Sequence, residues 1–253
     1  ASYWSQTTET KIPLYIQRRV KPASDALAVE HLRVRQVHNG EWIAWRIEWD
    51  DPSADGVADT DTFTDSVAIQ FPTGADIPSP SMGHPKTPVY IIQWRAQWQT
   101  DIDVGFQDID AIHPNYHSDL YWFAEKQGDR YPIPAAFKNP VSLQWFIAVK
   151  SGNPISVWSR EQPVAEMNAQ GFSTSTTQER TAAIGRGAWK AVNNSGVWSV
   201  VIARPLKTDD PLDAQFIPGQ SAKMAFAAWE GSKEQRGARK QWSGGWIDFK
   251  ILE

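Results

Sequence analysis

Met82, Gly83 and His84 stand together where Pro78, Pro80, Pro85 and Pro88 prevent regular structure. A thioether and an imidazole are side chains that transition metals accept, the first soft and the second borderline. A stiff loop thus presents one ligand of each kind. A lone methionine is more often a filler of core gaps, so the weight of Met82 depends on what surrounds it. Other candidates are weaker. The 50–64 segment could hold a cation through Asp50, Asp51, Asp55, Asp59 and Asp61, but solvated turn chemistry is the favoured account of aspartates in such a stretch. His113 and His117 are four positions apart, yet Pro114 between them argues against a shared helical face, and they read as loop histidines. No nucleophile motif supports a hydrolase, and the acid and base carboxylates such an enzyme needs are abundant here only because the loops are acidic.

The loop is bracketed by two strand patterns. Val67, Ile69 and Phe71 alternate with Ser66, Ala68 and Gln70. Beyond the loop, Tyr90, Ile92, Trp94, Ala96 and Trp98 alternate with Val89, Ile91, Gln93, Arg95 and Gln97. Ile12, Leu14 and Ile16 predict an early strand, with Pro13 favouring an edge. Asn39-Gly40 predicts a type I′ hairpin turn, followed by Ile43, Trp45, Ile47 and Trp49 on one face. A second hairpin is expected around Asn194-Ser195-Gly196, with Trp198, Val200 and Ile202 sharing a face, and two further strands over 223–229 and 246–252. Between 101 and 163, Pro114, Pro132, Pro134, Pro140 and Pro154 break the alternation, and only 141–150 carries a compact apolar run. The expectation is an all-β chain, a single antiparallel β-sandwich domain over 1–253 with an irregular insertion at 101–163.

Composition narrows the function. A chain of 253 residues buries a sizeable core without staples. The lack of cysteine excludes disulfides, zinc–thiolate sites, iron–sulfur clusters and thioether-linked haem within this chain. A net charge of −4 with no long basic block gives no nucleic-acid footprint, and no apolar run approaches a membrane span. The sequence opens at Ala1 without a basic and apolar leader, which fits a mature exported chain or a cytoplasmic one. Fourteen tryptophans suit a thick β core, a sugar-stacking platform or the walls around a planar cofactor.

HNGEWIAWRIEW, DSVAIQFP, MGHP followed by VYIIQWRA, AQGFST, GVWSVVIARPL and AKMAFAAWEGSKEQRGARKQWSGGWIDFKIL occur in that order. In this order and spacing the chain resembles the haem b-binding γ subunits of the type II dimethyl-sulfoxide-reductase family, which includes ethylbenzene and dimethyl sulfide dehydrogenases, chlorate and selenate reductases and nitrite oxidoreductases. The resemblance covers roughly residues 28–100 and 164–252. It implies a β-sandwich holding one haem b, non-covalently, between an axial methionine and an axial lysine. The methionine of the family's Met-Gly loop falls on Met82. The family's Gly-x-Arg-Lys segment falls on Gly237-Ala238-Arg239-Lys240, which makes Lys240 the favoured lysine, with Lys223 the other lysine of that block. His84 stands as a competitor to Met82. Arg95 and Arg204 are candidates for the haem propionates.

The implied role is electron transfer, with no catalytic site in this chain. Electrons would pass between an iron–sulfur β subunit, serving a molybdenum-containing α subunit, and an external redox partner such as a soluble cytochrome. The implied location is the periplasm or an equivalent exported compartment. The competing expectation is a carbohydrate-binding sandwich module whose exposed tryptophans stack on sugar rings.

Overall fold

The structure, a computed structural model, describes residues 2–107, 109–115, 147–157 and 159–252. In chain order the strands are β1 (Thr10–Pro13), β2 (Tyr15–Ile16), β3 (His31–His38), β4 (Trp42–Asp50), β5 (Ser66–Pro72), β6 (Val89–Arg95) and β7 (Val164–Ala169), followed by β8 (Thr176–Thr177), β9 (Ile184–Val192), β10 (Ser195–Pro205), β11 (Ser221–Trp229), β12 (Gln241–Trp242) and β13 (Ile247–Lys250). Short helices α1 (Ala96–Val104), α2 (Ile109–Ile112) and α3 (Ile147–Lys150) complete the described regular structure, with single turns of 3-10 helix. The chain divides into two compact units, one of residues 1–99 with 162–253 and the other of residues 100–161.

The first unit is an antiparallel sandwich. One sheet runs β1-β3-β4-β10-β9 and the other β2-β12-β11-β5-β6-β7-β8, with β13 paired to the start of β11. The first sheet follows from simple alternation: Ile43, Trp45, Ile47 and Trp49 are fully buried while their neighbours in β4 are not. Trp45 lies 5.2 Å from Phe71 by ring centroids, and Trp94 lies 4.9 Å from Trp198. The interior is therefore filled by aromatic side chains from both sheets.

The second sheet differs. Val67, Ile69, Phe71, Tyr90, Ile92, Trp94, Met224 and Phe226 face the sandwich interior. On the opposite face Ala68, Val89, Ile91, Met167, Ala169, Ala227 and Trp229 form a second apolar cluster, against which Met82, Trp242 and Trp246 pack. Both faces of β5 are consequently buried.

Several local expectations need correction. The strand expected to reach Trp98 ends at Arg95, and α1 begins at Ala96, whose N–H donates to the Asp65 carbonyl at 2.9 Å. The β3–β4 turn is not type I′. Gly40 alone has positive φ there, and the Asn39 carboxamide accepts from the N–H groups of Glu41 and Trp42, an Asx turn. The second hairpin turns at Asn193-Asn194, because Ser195 already pairs with Val192. Gly196 serves inside β10 instead: a Cβ there would lie 2.1 Å from the Trp189 ring. The early strand divides between sheets, β1 forming an edge of the first and β2 an edge of the second, with Leu14 buried between them.

The second unit falls within the expected insertion. Its described part contains α2, α3 and a buried ion pair between Arg160 and Asp101 at 3.3 Å. The same Asp101 carboxylate accepts from the Gln107 N–H at 3.0 Å. His113 lies just past α2, its N–H donating to the Ile109 carbonyl. His117 and most of the apolar run at 141–150 lie outside the described residues.

Candidate functional site

The β5–β6 loop is pinned at several points. At its base, the Thr73 hydroxyl donates to the Pro88 carbonyl at 2.9 Å. The outer-face Gln70 amide donates to the Pro80 carbonyl at 3.1 Å, and the Trp246 indole donates to the Pro78 carbonyl at 2.6 Å. His84 and Thr87 exchange two backbone hydrogen bonds, and the Gly171 N–H donates to the Met82 carbonyl at 2.7 Å.

Met82 itself has φ of 70°, a left-handed conformation costing a non-glycine residue about 1 kcal/mol or more. Asn and Asp visit this region readily, and methionine has no side-chain polar group to ease it. Gly83 follows with φ of 74°, and a Cβ there would stand 2.8 Å from the Ala169 carbonyl oxygen. Two successive left-handed residues fold the loop back tightly against β7, and only the second is glycine. The methionine is thus held in a costly conformation by contacts around it, with its side chain against the outer-face cluster.

Lys240 arrives from the other side. It precedes the two-residue strand β12, and its carbonyl accepts from the Gln17 N–H at 3.0 Å, which ties it to the end of β2. Its Nζ stands 4.0 Å from Met82 Sδ and 5.1 Å from the Trp229 ring centre. The residue as a whole keeps partial exposure, while the surroundings of its amine are crowded enough that desolvation lowers its pKa from 10.5 to about 8. Lowering in this sense favours the neutral amine, the form that can donate a lone pair to a metal.

The other sequence candidates lie elsewhere. Lys223 pairs with Asp248 at 2.5 Å on a partly exposed stretch of β11. His84 is exposed, and its Nδ1 accepts from the Lys86 N–H at 3.3 Å. Arg204 is fully buried inside the sandwich, donating to the Ala214 carbonyl at 2.7 Å and stacked over Tyr90 and Phe216. A propionate cannot reach it there, so the expectation for Arg204 is withdrawn. Arg95 sits on the outer face of β6, its guanidinium 4.7 Å from the Trp98 ring and donating to Gln93.

The 50–64 loop is also not as expected. Asp51 and Asp65 are fully buried, and with Asp55 and Glu230 their carboxylate oxygens lie within 4.8 Å of one another. Asp65 accepts from the N–H groups of Asp55 and Gly231 and from the Trp198 indole; Asp51 accepts from the Trp49 indole and the Ser53 N–H. Desolvation, then the charges of Asp65 and Glu230, raise the Asp51 pKa to about 8; desolvation first raises that of Asp65 to about 7. These carboxyls fasten the loop to the end of β11. Asp50, in contrast, pairs with Arg33 at 2.9 Å.

The residues around Met82 fit an iron porphyrin. A thioether sulfur and an amine nitrogen, both atoms that transition metals accept, stand 4.0 Å apart and would hold the iron. The bed beneath them is apolar, with small side chains at Ala68, Ala169 and Ala227 and tryptophans at Trp229, Trp242 and Trp246. Sequence reading did not single out these three tryptophans, although the alternation of Ala225, Ala227 and Trp229 in β11 carried the signal.

Residues 1–241 match the model of a family described as ethylbenzene dehydrogenase. ORF7 of Haloferax mediterranei, provisionally assigned as a respiratory nitrate reductase heme subunit, is 22% identical over 248 residues, covering 97% of this chain and 65% of that protein. The chlorate reductase subunit gamma of Ideonella dechloratans is 25% identical over 134 residues, covering 50% of this chain and 53% of its own length. The chain thus spans between about half and two thirds of the curated relatives it matches. A crystal structure from Bacteroides uniformis, provisionally described as a carbohydrate-binding protein, aligns over 98% of this chain and 80% of its own with a TM-score of 0.42 and 7% identity, too loose a likeness to bear on function.

Proposed function

Because this chain belongs to the ethylbenzene dehydrogenase family, we propose that it is the haem-bearing electron-transfer subunit of a molybdoenzyme complex, with Met82 and Lys240 as the axial ligands of one haem b. The observation that carries this reading is the approach of Lys240 Nζ to Met82 Sδ over an apolar bed. A heme subunit and a gamma subunit among the proteins it is similar to support it.

Bound haem iron supplies a one-electron store. Met82 contributes a soft, neutral sulfur that favours the ferrous state and so raises the reduction potential. Lys240 would contribute its amine, whose pKa desolvation lowers to about 8 so that less is needed to free the lone pair. With both ligands in place, substrate and oxygen are kept from the metal and outer-sphere transfer is the chemistry left. The tryptophans and alanines of the outer face exclude water. Partners are a molybdenum-containing α subunit, an iron–sulfur β subunit and an external acceptor or donor such as a soluble cytochrome. The compartment is the periplasm or its exported equivalent.

The purified chain reconstituted with haem tests this directly. A Soret band with sharp reduced α and β bands is expected. A chain that stays colourless after haem addition, or whose spectrum is indifferent to both Met82→Ala and Lys240→Ala, overturns the reading. A sugar platform finds little footing in the described residues: Trp42 alone among their tryptophans is exposed, at 36%.

A further inference from the structure

Lys240 reaches Met82 from an irregular segment whose regular pairing is slight, the two residue pairs of β12 with β11 and the two with β2. Something must aim the 231–240 segment, because a flexible lysine stem loses rotamer freedom when fixed. Trp229 makes two separate contacts with that segment. Its indole N–H donates to the Gly237 carbonyl at 2.9 Å, and its ring lies beneath the Lys240 amine at 5.1 Å. The same ring belongs to the outer-face cluster against which Met82 packs. Gly237 has φ of 53° with open space where a Cβ would stand, and the turn it sits in is closed by the Arg239 N–H donating to the Arg236 carbonyl at 2.9 Å, while the Trp229 indole holds its carbonyl from outside the turn.

Other contacts in the segment act further from the lysine. The Gln235 carboxamide accepts from the Glu230 N–H, Arg236 lies over the Phe63 ring, and Arg239 pairs with Glu234 at 3.5 Å. These shape the first part of the segment. The Gln17 N–H holds the Lys240 carbonyl but leaves its side chain free to turn. Among the described residues, the amine meets Trp229 and Met82.

We infer that Trp229 is a positioning residue for the lysine ligand, its indole N–H fixing the Gly237 turn while its ring supports the Lys240 stem and amine on the side of Met82. This rests on the assignment of Lys240 as a haem ligand. Trp229 makes no bond to iron in this arrangement; it sets where the amine sits before the cofactor enters and how readily it leaves afterwards.

Trp229→Phe keeps an aromatic ring and removes the indole donor, and Trp229→Leu removes both. In the haem-loaded full chain, carbon monoxide binding to the ferrous protein reads how often the lysine side opens. Trp229→Phe is expected to speed that binding by at least tenfold while leaving the Met82 side intact, and Trp229→Leu is expected to produce a high-spin fraction as well. In the haem-free chain, amide exchange over 235–240 is expected to quicken at least tenfold in Trp229→Phe, which gives a reading even where loading fails. Lys240→Ala in the same series separates the two claims. If Lys240→Ala turns the spectrum high-spin while Trp229→Phe matches the parent in carbon monoxide binding and amide exchange, the positioning role is wrong and the ligand assignment stands. If Lys240→Ala stays low-spin, the ligand assignment fails and the inference falls with it.

Discussion

Lys240 Nζ lies 4.0 Å from Met82 Sδ although 158 positions separate them in the chain. Each is presented by an irregular segment, and the two segments are anchored to the sheet independently. The Met82 side is fixed by the β5–β6 register and by Gly171; the Lys240 side is fixed by β12, Gln17 and Trp229. Substitutions at the two ends should therefore give separable effects.

On the proposed ligation, Met82→Ala removes the soft ligand. The haem-loaded chain is expected to show a lower midpoint potential and a shift toward high-spin or water-ligated iron. Lys240→Ala is expected to open the opposite position, while Lys223→Ala leaves the spectrum unchanged, since Lys223 is engaged with Asp248. Absorption and paramagnetic resonance spectra of the three variants, with potentiometric titration, decide the matter.

The chain has no cysteine to which the proposed haem could be joined. Acid–acetone is accordingly expected to extract all of it from the polypeptide. Colour remaining on the chain in a denaturing gel would contradict non-covalent binding.

Gly83→Ala forces a Cβ to within 2.8 Å of the Ala169 carbonyl oxygen at a φ of 74°. The expected cost is roughly 1–3 kcal/mol, with a fall of about 2–4 °C in melting temperature for each kcal/mol. Because Gly83 adjoins Met82, haem retention should weaken along with stability. Thermal melts with and without haem measure both, and a variant that melts and binds like the parent would refute the close approach.

The buried carboxyls predict an unusual dependence on pH. Asp51 and Asp65 have pKa values raised from 3.8 to about 8 and about 7. Below about pH 4 both are protonated in folded and unfolded chains alike, and their full stability is present. As pH rises from about 4 to about 8 the unfolded chain releases its protons first, so stability falls, by up to about 1.4 kcal/mol per pH unit for each proton withheld. Denaturant midpoints across that window should decline in the parent and flatten in Asp51→Asn. A parent whose midpoint rises between pH 5 and 8 would show that these carboxyls are ionised in the fold.

The sheets were legible where one face meets the core and the other does not. Ile43, Trp45, Ile47 and Trp49 announce β4 by alternation alone. The same logic misled after Arg95, because Ala96, Gln97 and Trp98 continue the alternation while α1 is selected by the backbone contact from Ala96 to Asp65. Met82 and Lys240 were singled out on the order of the family's Met-Gly and Gly-x-Arg-Lys segments rather than on local chemistry, and their approach to 4.0 Å could not be read from either segment. The β11–β13 register places Asp248 opposite Lys223. Nothing local to either lysine encodes that pairing. Asp65 and Glu230 were missed as partners of Asp51 for the same reason: the three meet only after β5 and β11 pair.

The two apolar faces of the second sheet give residue number a meaning of its own. In β5 the odd positions Val67, Ile69 and Phe71 belong to the sandwich and the even position Ala68 to the outer cluster; in β6 the even positions Tyr90, Ile92 and Trp94 belong to the sandwich and the odd positions Val89 and Ile91 to the outer cluster. Folding and the proposed haem bed are thus written on the same strands in alternate letters. A single inserted residue in β5 would exchange the two texts, setting Ala68 toward the core and Phe71 toward the bed, so this stretch tolerates substitution on either side far better than any change in its length.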